Sequence, residues 1–563
     1  MKPSADIAPL ACLGIRRSSN SLVGTCVAAS GWHRTCTLGC DTIALNLKPA
    51  LRRGAWLMSG LDGRCWRGAG VFPGVADLKR RVVARRLLLP LYLLGCCSAM
   101  PAYAWLRADE PRAGQPPQRL ALVLDGVPYR TIVELREEGC FHSFHSPARM
   151  VSTFPSLTNT SMIEILGAED SPGYEDHYYD RERNRLIGGF QDRIRGGSFI
   201  RGTFREMFNY HAPAFRGSLA YIGQPLGAIM IAQADIAGFR RAFRASSAPL
   251  FVGYIGATDS LAHLGGEGPL KSLLRSLDRT IEELRRESAK SGAQLEVELL
   301  SDHGNFYTEH RQVKLNAALD RAGFVVEKSL THPRGVVLPR YGLVGSAALF
   351  TAGENRKRLA EACAVTEGVN FAAYQALGEE GHVITVASRR GSARVWHSGE
   401  LYRYEDLGGD PFELNQIIAT MKVSGGINAE GFAHAEEWWI ATRDHRYADP
   451  LRRLFDGFTA HVRSRGDVLV SFEDGYLIGS PFFSIFARMW ATHGNMLRGE
   501  TDGFAMSTRQ ELDPAVRGRD LHTLFGFDHM PRAGSHFSEY GHCQAGRILA
   551  KVIAGNADDT CAR

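Results

Sequence analysis

Three apolar runs, each leading to an acidic residue, restrict the fold of this chain more than any other feature. Arg119-Leu-Ala-Leu-Val-Leu124 reads as a fully buried strand and ends in Asp125-Gly126. Pro249 to Gly256 reads as a second apolar strand, followed by Thr258-Asp259, with His263 four residues beyond. Gln294 to Leu300 alternates Leu295, Val297 and Leu299 on one face and leads into Ser301-Asp302-His303-Gly304. Between the second and third runs, Leu270, Leu273, Leu274, Leu277, Ile281 and Leu284 mark one face of a long amphipathic helix. Strand, helix, strand implies a parallel sheet, and such sheets bind ligands beyond their C-terminal strand ends. The predicted fold class is α/β, with acids and imidazoles gathered at that edge.

The 563 residues suffice for a large core, and 44% hydrophobic with 22% charged residues describes a globular chain. The net charge of +6 is mild, and no Lys/Arg stripe interleaves with aromatics, so a nucleic-acid duplex is not an expected partner. Of 11 cysteines, those after residue 105 are Cys140, Cys363, Cys543 and Cys561. With no CxxC pair, neither a cysteine zinc site nor a dense disulfide frame is signalled, though one or two disulfides among these four would be compatible. Residues 1–76 show no sustained helix or strand period and are expected to form a disordered leader. In 77–104, basic Lys79–Arg86, apolar Leu87–Met100 and Ala102-Tyr103-Ala104 follow the order of a secretory signal. The expectation is export, to the periplasm or to a membrane facing it. Cleavage falls near Ala104; lipidation at Cys96 or retention as a membrane anchor are the alternatives. Residues 105–329 and 451–555 are expected to form the catalytic layers, with Asp467–Phe472 strand-like, and 330–450 an inserted cap subdomain.

The strand-end residues and their neighbours gather as Asp125, Thr153, Asp259, His263, Asp302, His303 and His493. Three carboxylates and three imidazoles are the ligand count for two divalent ions, each keeping an open position. Zinc suits the donors best, and manganese and iron also accept Asp/His sites. Two Zn²⁺ against three Asp and one Thr alkoxide sum to zero, leaving the site able to accept an anionic phosphate. The plainer readings are a turn at Asp125-Gly126, a helix cap at Thr153 ahead of a helix over 157–166, and His536 or His542 in place of His493. His142 and His145 read as surface or packing residues.

The motifs LDGVP, STFPS, ATDSLAH, SDHGN and THGN occur in the order seen in the alkaline phosphatase superfamily. They resemble most closely its nucleotide pyrophosphatase/phosphodiesterase branch, over roughly residues 118–310 and 465–530. The resemblance implies a three-layer α/β/α sandwich with a mainly parallel central sheet and an inserted cap. It implies an exported metal-dependent phosphoesterase cleaving phosphodiester or pyrophosphate bonds of a small substrate, such as a nucleotide or phospholipid head group. Thr153 would be the nucleophile, transiently phosphorylated. Asp125, Asp302 and His303 would hold one zinc with the Thr153 oxygen, and Asp259, His263 and His493 the other. Two departures stand out. Ser156 occupies the place of an Asn in the nucleophile loop, and His177 that of a phosphate-binding Asn, with Asn159 an alternative donor. The absence of a C/S-x-P-x-R loop disfavours a sulfatase. A phosphomonoesterase, a phosphonate hydrolase or a non-catalytic exported binding protein are the other readings.

Overall fold

The structure, a computed structural model, describes residues 117–188, 203–212, 226–340, 342–480 and 489–527, and the backbone of 12–18, 21–27 and 33–37. The chain divides into two compact units, Met1–Cys97 and Ser98–Arg563. In the first, Cys12–Ser18, Ser21–Val27 and His33–Thr37 pair antiparallel in sequence order, where the sequence predicts a disordered leader. Each strand pairs with its sequence neighbour, so closing each hairpin orders only a few linking residues. The segment 77–104, expected to be a signal or anchor, lies outside the described residues. Among the described residues no helix is long and apolar enough to cross a membrane.

Two large sheets carry the second unit. The first contains β1 (Arg119–Leu124), β2 (Ala148–Val151), β3 (Tyr210–His211), β4 (Leu250–Ile255), β5 (Glu296–Ser301), β6 (Asp502–Ser507) and β7 (Ala515–Arg517). Their order is β7-β2-β6-β5-β1-β4-β3, and only β6 runs antiparallel to its neighbours. The residues of β1 divide between the two faces: Leu120, Leu122 and Leu124 enter one buried cluster, Ala121 and Val123 another. Burial on both faces is why these strands read as continuous apolar runs. Helices cover each face. The α1 helix (Tyr129–Glu137) contributes Ile132 and Leu135 to the first cluster, while α2 (Thr158–Leu166) contributes Met162, Ile163 and Ile165 to the second. Two further helices, α3 (Ala257–Gly265) and α4 (Glu267–Lys290), link β4 to β5. The layering is the α/β/α sandwich predicted.

Register places the chemistry. Leu124 pairs with Ile255 on one side and with Ser301 on the other. The next residues along β1 and β5, Asp125 and Asp302, therefore leave the sheet side by side. Asp259 follows Ile255 by four residues, on α3.

The second sheet has nine strands, the first being Val325–Glu327. Val468–Phe472 lies inside it, between Ser346–Thr351 and Val369–Tyr374. The strand read as part of the catalytic layers thus belongs to the other sheet, and that sheet extends beyond 330–450 at both ends. Helix α5 (Pro450–Thr459) packs here too, through Leu451, Leu454, Phe455 and Phe458. Phe154, Leu157, Met496 and Leu497 enter the same cluster, so this region is joined to the loops of the site. Cys140 and Cys363 are free thiols.

Candidate active site

Two triads form where sequence places them. Asp125, Asp302 and His303 converge within 4.8 Å of one another, as do Asp259, His263 and His493. The rings of His303 and His493 stack at 3.8 Å between centroids, which joins the triads into one site. Asp259 and His263 sit one turn apart on α3, with Nε2 2.9 Å from Oδ2. Asp259 keeps 16% of its side chain exposed, whereas the side chains of Asp302 and His303 are fully buried. Asp259 is thus the most exposed of the six residues.

All three imidazoles are oriented alike. Nδ1 of His263 faces the Ala491 carbonyl at 2.6 Å, that of His303 the Gly304 carbonyl at 2.9 Å, and that of His493 the Ser156 carbonyl at 2.9 Å. A carbonyl only accepts, so each Nδ1 donates its proton there and each Nε2 is turned toward the carboxylates. This is the arrangement that prepares histidine as a metal ligand.

Burial raises Asp302 to about 7, against the pull of His303 and with a further push from Asp125. Burial alone would lower His303, but Asp302 and Asp125 hold it up at about 10. Burial lowers His493 to about 3, reinforced by His303. Asp259 is held low, despite its burial, by His263 and His493. In addition, Asp302 Oδ2 is buried without a hydrogen-bond partner. Three largely buried carboxylates this close to one another are costly unless a cation completes them. The donor set fits two divalent ions.

Neighbouring residues hold the ligands. The Gly126 amide donates to Asp302 Oδ1 (3.0 Å), and Thr258 Oγ1 donates to the Asp125 carbonyl (2.6 Å). Asn305 Nδ2 donates to the Gly126 carbonyl (2.7 Å) and to Asp259 Oδ1 (3.0 Å), and the Tyr254 hydroxyl donates to Asp125 Oδ2. Sequence reasoning did not single out Asn305 or Tyr254; Asn305 could have been found as the residue directly after Asp302-His303-Gly304. At Gly126, φ is +64°, and a Cβ would lie 2.5 Å from both Asn305 Nδ2 and Asp259 Oδ1. Gly126→Ala is therefore expected to weaken divalent-metal binding roughly 10- to 100-fold, as losses of ligand-orienting groups do. Metal titration of the folded variant checks this, and unchanged affinity would refute it.

The nucleophile predicted at Thr153 is not at the site. Its hydroxyl is buried, donates to the Pro155 carbonyl (2.9 Å) and meets Thr160 Oγ1 (2.9 Å). The turn carries the chain onward, and the hydroxyl at the triads is Thr158, the first residue of α2. Its Oγ1 lies 3.4 Å from Asp125 Oδ1 and 3.4 Å from His303 Nε2. No side chain caps α2, so its first-turn amides have no capping partner. Asn159 follows Thr158 in that turn. His177 instead lines a small pocket with Pro155, Leu157, Tyr174 and Phe350, which includes no triad residue. His142 and His145 are exposed, and His536 and His542 lie outside the described residues. Ser156 binds the His493 loop: its Oγ accepts from the Gly494 amide (3.1 Å) and donates to the Asn495 carbonyl (3.1 Å).

No protein-family profile matches the chain. No curated protein sequence matches it either. Among solved structures, it is similar to human ectonucleotide pyrophosphatase/phosphodiesterase 5, at 12% identity and a TM-score of 0.42 over 75% of this chain and 98% of that one. It is also similar to phosphonoacetate hydrolase from Sinorhizobium meliloti 1021 in complex with phosphonoformate, at 12% identity and a TM-score of 0.43, over 74% of this chain and 96% of that one.

Proposed function

We propose that this chain is an exported, metal-dependent hydrolase of phosphodiester or pyrophosphate bonds, with Thr158 as its covalent nucleophile. One observation carries the reading. A half-buried hydroxyl at the start of an uncapped helix stands 3.4 Å from a carboxylate of one triad and from that triad's imidazole. Asp125, Asp302 and His303 would hold one ion and Asp259, His263 and His493 the other, with zinc proposed from the donor types. When bound, such ions supply Lewis acidity, which activates a hydroxyl and offsets charge on a phosphoryl group.

The chain's own groups do the rest. Thr158 Oγ1 attacks phosphorus, an Oγ–P bond forms, and the P–O bond to the leaving alcohol or nucleotide breaks. Asp125 Oδ1 is within reach of the hydroxyl proton. The first-turn amides of α2 and the Asn159 side chain would donate to the phosphoryl oxygens. Water then hydrolyses the phosphothreonine and returns the Thr158 hydroxyl. The substrate is a small phosphoester such as a nucleotide or phospholipid head group. Export is proposed from the basic, apolar and small-residue order of 77–104.

The test is a substrate panel on purified, metal-analysed protein. We expect kcat/KM on bis(nitrophenyl) phosphate to exceed that on nitrophenyl phosphate and on phosphonoacetate. Preference for the monoester or the phosphonate would replace the diester reading. Two bound ions with no turnover of any of these would leave a binding protein.

A further inference from the structure

We infer that Arg453 is a positioning residue, which ties the turn carrying Thr158 to the loop carrying His493 and so sets the nucleophile against the second triad. The kinetic part of this inference rests on the phosphoesterase reading above.

Arg453 is on α5 and is 5% exposed. Its Nη2 donates to the Thr153 carbonyl (3.0 Å) and Thr501 Oγ1 (2.9 Å); its Nη1 donates to the carbonyls of Ala448 (2.9 Å) and Met496 (3.2 Å). Thr153 opens the turn that delivers Thr158 five residues later. Met496 lies three residues past His493. One planar group therefore grips both segments, and its fixed fork transmits orientation as well as distance.

Burying a guanidinium is costly, and an apolar side chain would fill the same space without that cost. Among the described residues no carboxylate comes within ion-pair distance of Arg453, although Asp449, Asp502 and Glu164 are near enough to favour its charge. All four acceptors are main-chain carbonyls or a hydroxyl, and two of them belong to the segments whose spacing the chemistry needs. A second tie joins the same segments at Ser156. Its amide donates to the Gly494 carbonyl (3.3 Å), and its own carbonyl accepts from His493 Nδ1 (2.9 Å). A shift between the segments would therefore move His493 and Thr158 together out of register, and displacements of about 1 Å can cost about 100-fold in rate.

The test uses Arg453→Met and Arg453→Lys in the full chain. For Arg453→Met we expect kcat on bis(nitrophenyl) phosphate to fall about 100-fold with KM within about threefold, because the loss is one of geometry rather than substrate contact. Zinc titration should show one of two sites weakened about tenfold, as for other ligand-orienting groups. Arg453→Lys should recover part of kcat, since an ammonium reaches some of these acceptors without the fork. A variant that melts earlier but keeps parental kcat and both metal affinities would overturn the inference. If Arg453→Met fails to fold, Arg453→Lys decides: lowered kcat at parental KM supports the inference, and parental kcat overturns it. If the parent turns over no phosphoester, that reading fails alone. The zinc titration then still decides, with a weakened site supporting the tie and two unchanged sites refuting it.

Discussion

Replacing Thr158 with alanine is expected to remove turnover by at least about three orders of magnitude, as loss of a covalent nucleophile does. The fold and both triads should survive, because Thr158 is half-buried and its side-chain contacts to Asp125 and His303 are long, at 3.4 Å each. The stability change should stay within about 0.5–1 kcal/mol. Thr153→Ala makes the opposite prediction. Its hydroxyl donates to a carbonyl in its own turn, so its loss should cost about 1 kcal/mol of stability while most of the activity remains. Thr158→Ser should keep partial turnover, since the oxygen survives. Acid quench during turnover should trap phosphate on a peptide in which Thr158 is the modified residue. Near-parental diester hydrolysis by Thr158→Ala would mean that water attacks directly and that the proposed mechanism is wrong.

The contrast between these two threonines shows what the sequence could specify. Strands β1, β4 and β5 are legible because burial on both faces demands continuous apolar runs, and the first residues after such a run must leave the sheet at its ligand-binding edge. Asp125, Asp302 and His303 follow from that logic. Asp259 and His263 follow from helical spacing. The choice between Thr153 and Thr158 does not, because both hydroxyls flank the same Phe-Pro turn. It is decided by where that turn is fastened: Ser156 to the His493 loop and Thr153 to Arg453, contacts that span about 300 residues or more. The usable local clue was the helix start, since the N-terminal residue of α2 is the one whose neighbours keep uncapped amides. The sequence leaves the sheet of Val468–Phe472 open for a related reason. An apolar run requires burial but does not name the sheet, and pairing with Ser346–Thr351 and Val369–Tyr374 is set by partners far along the chain.

Asp302→Ala is expected to separate the stability of the metal-free chain from that of the loaded one. The Asp302 side chain is fully buried; Oδ1 accepts from the Gly126 amide at 3.0 Å, and Oδ2 has no hydrogen-bond partner. Burial lifts this carboxyl to about 7, against the attraction of His303. Without an ion the group is therefore a burden, and its removal should cost the metal-free protein little, because His303 keeps Asp125 Oδ1 at 3.4 Å. With ions the sign reverses. Metal that binds only the folded state stabilises it by about 2.7 kcal/mol at 100 times Kd, and the variant should forfeit the share belonging to its first site. Elemental analysis should fall from two ions per chain towards one, with activity down by about three orders of magnitude or more. Thermal melts with and without excess zinc make the decisive comparison: the zinc-induced rise should be clearly larger in the parent than in Asp302→Ala. An equal rise in both proteins, with two ions retained by the variant, would remove Asp302 from the ligand set and the first triad from the mechanism.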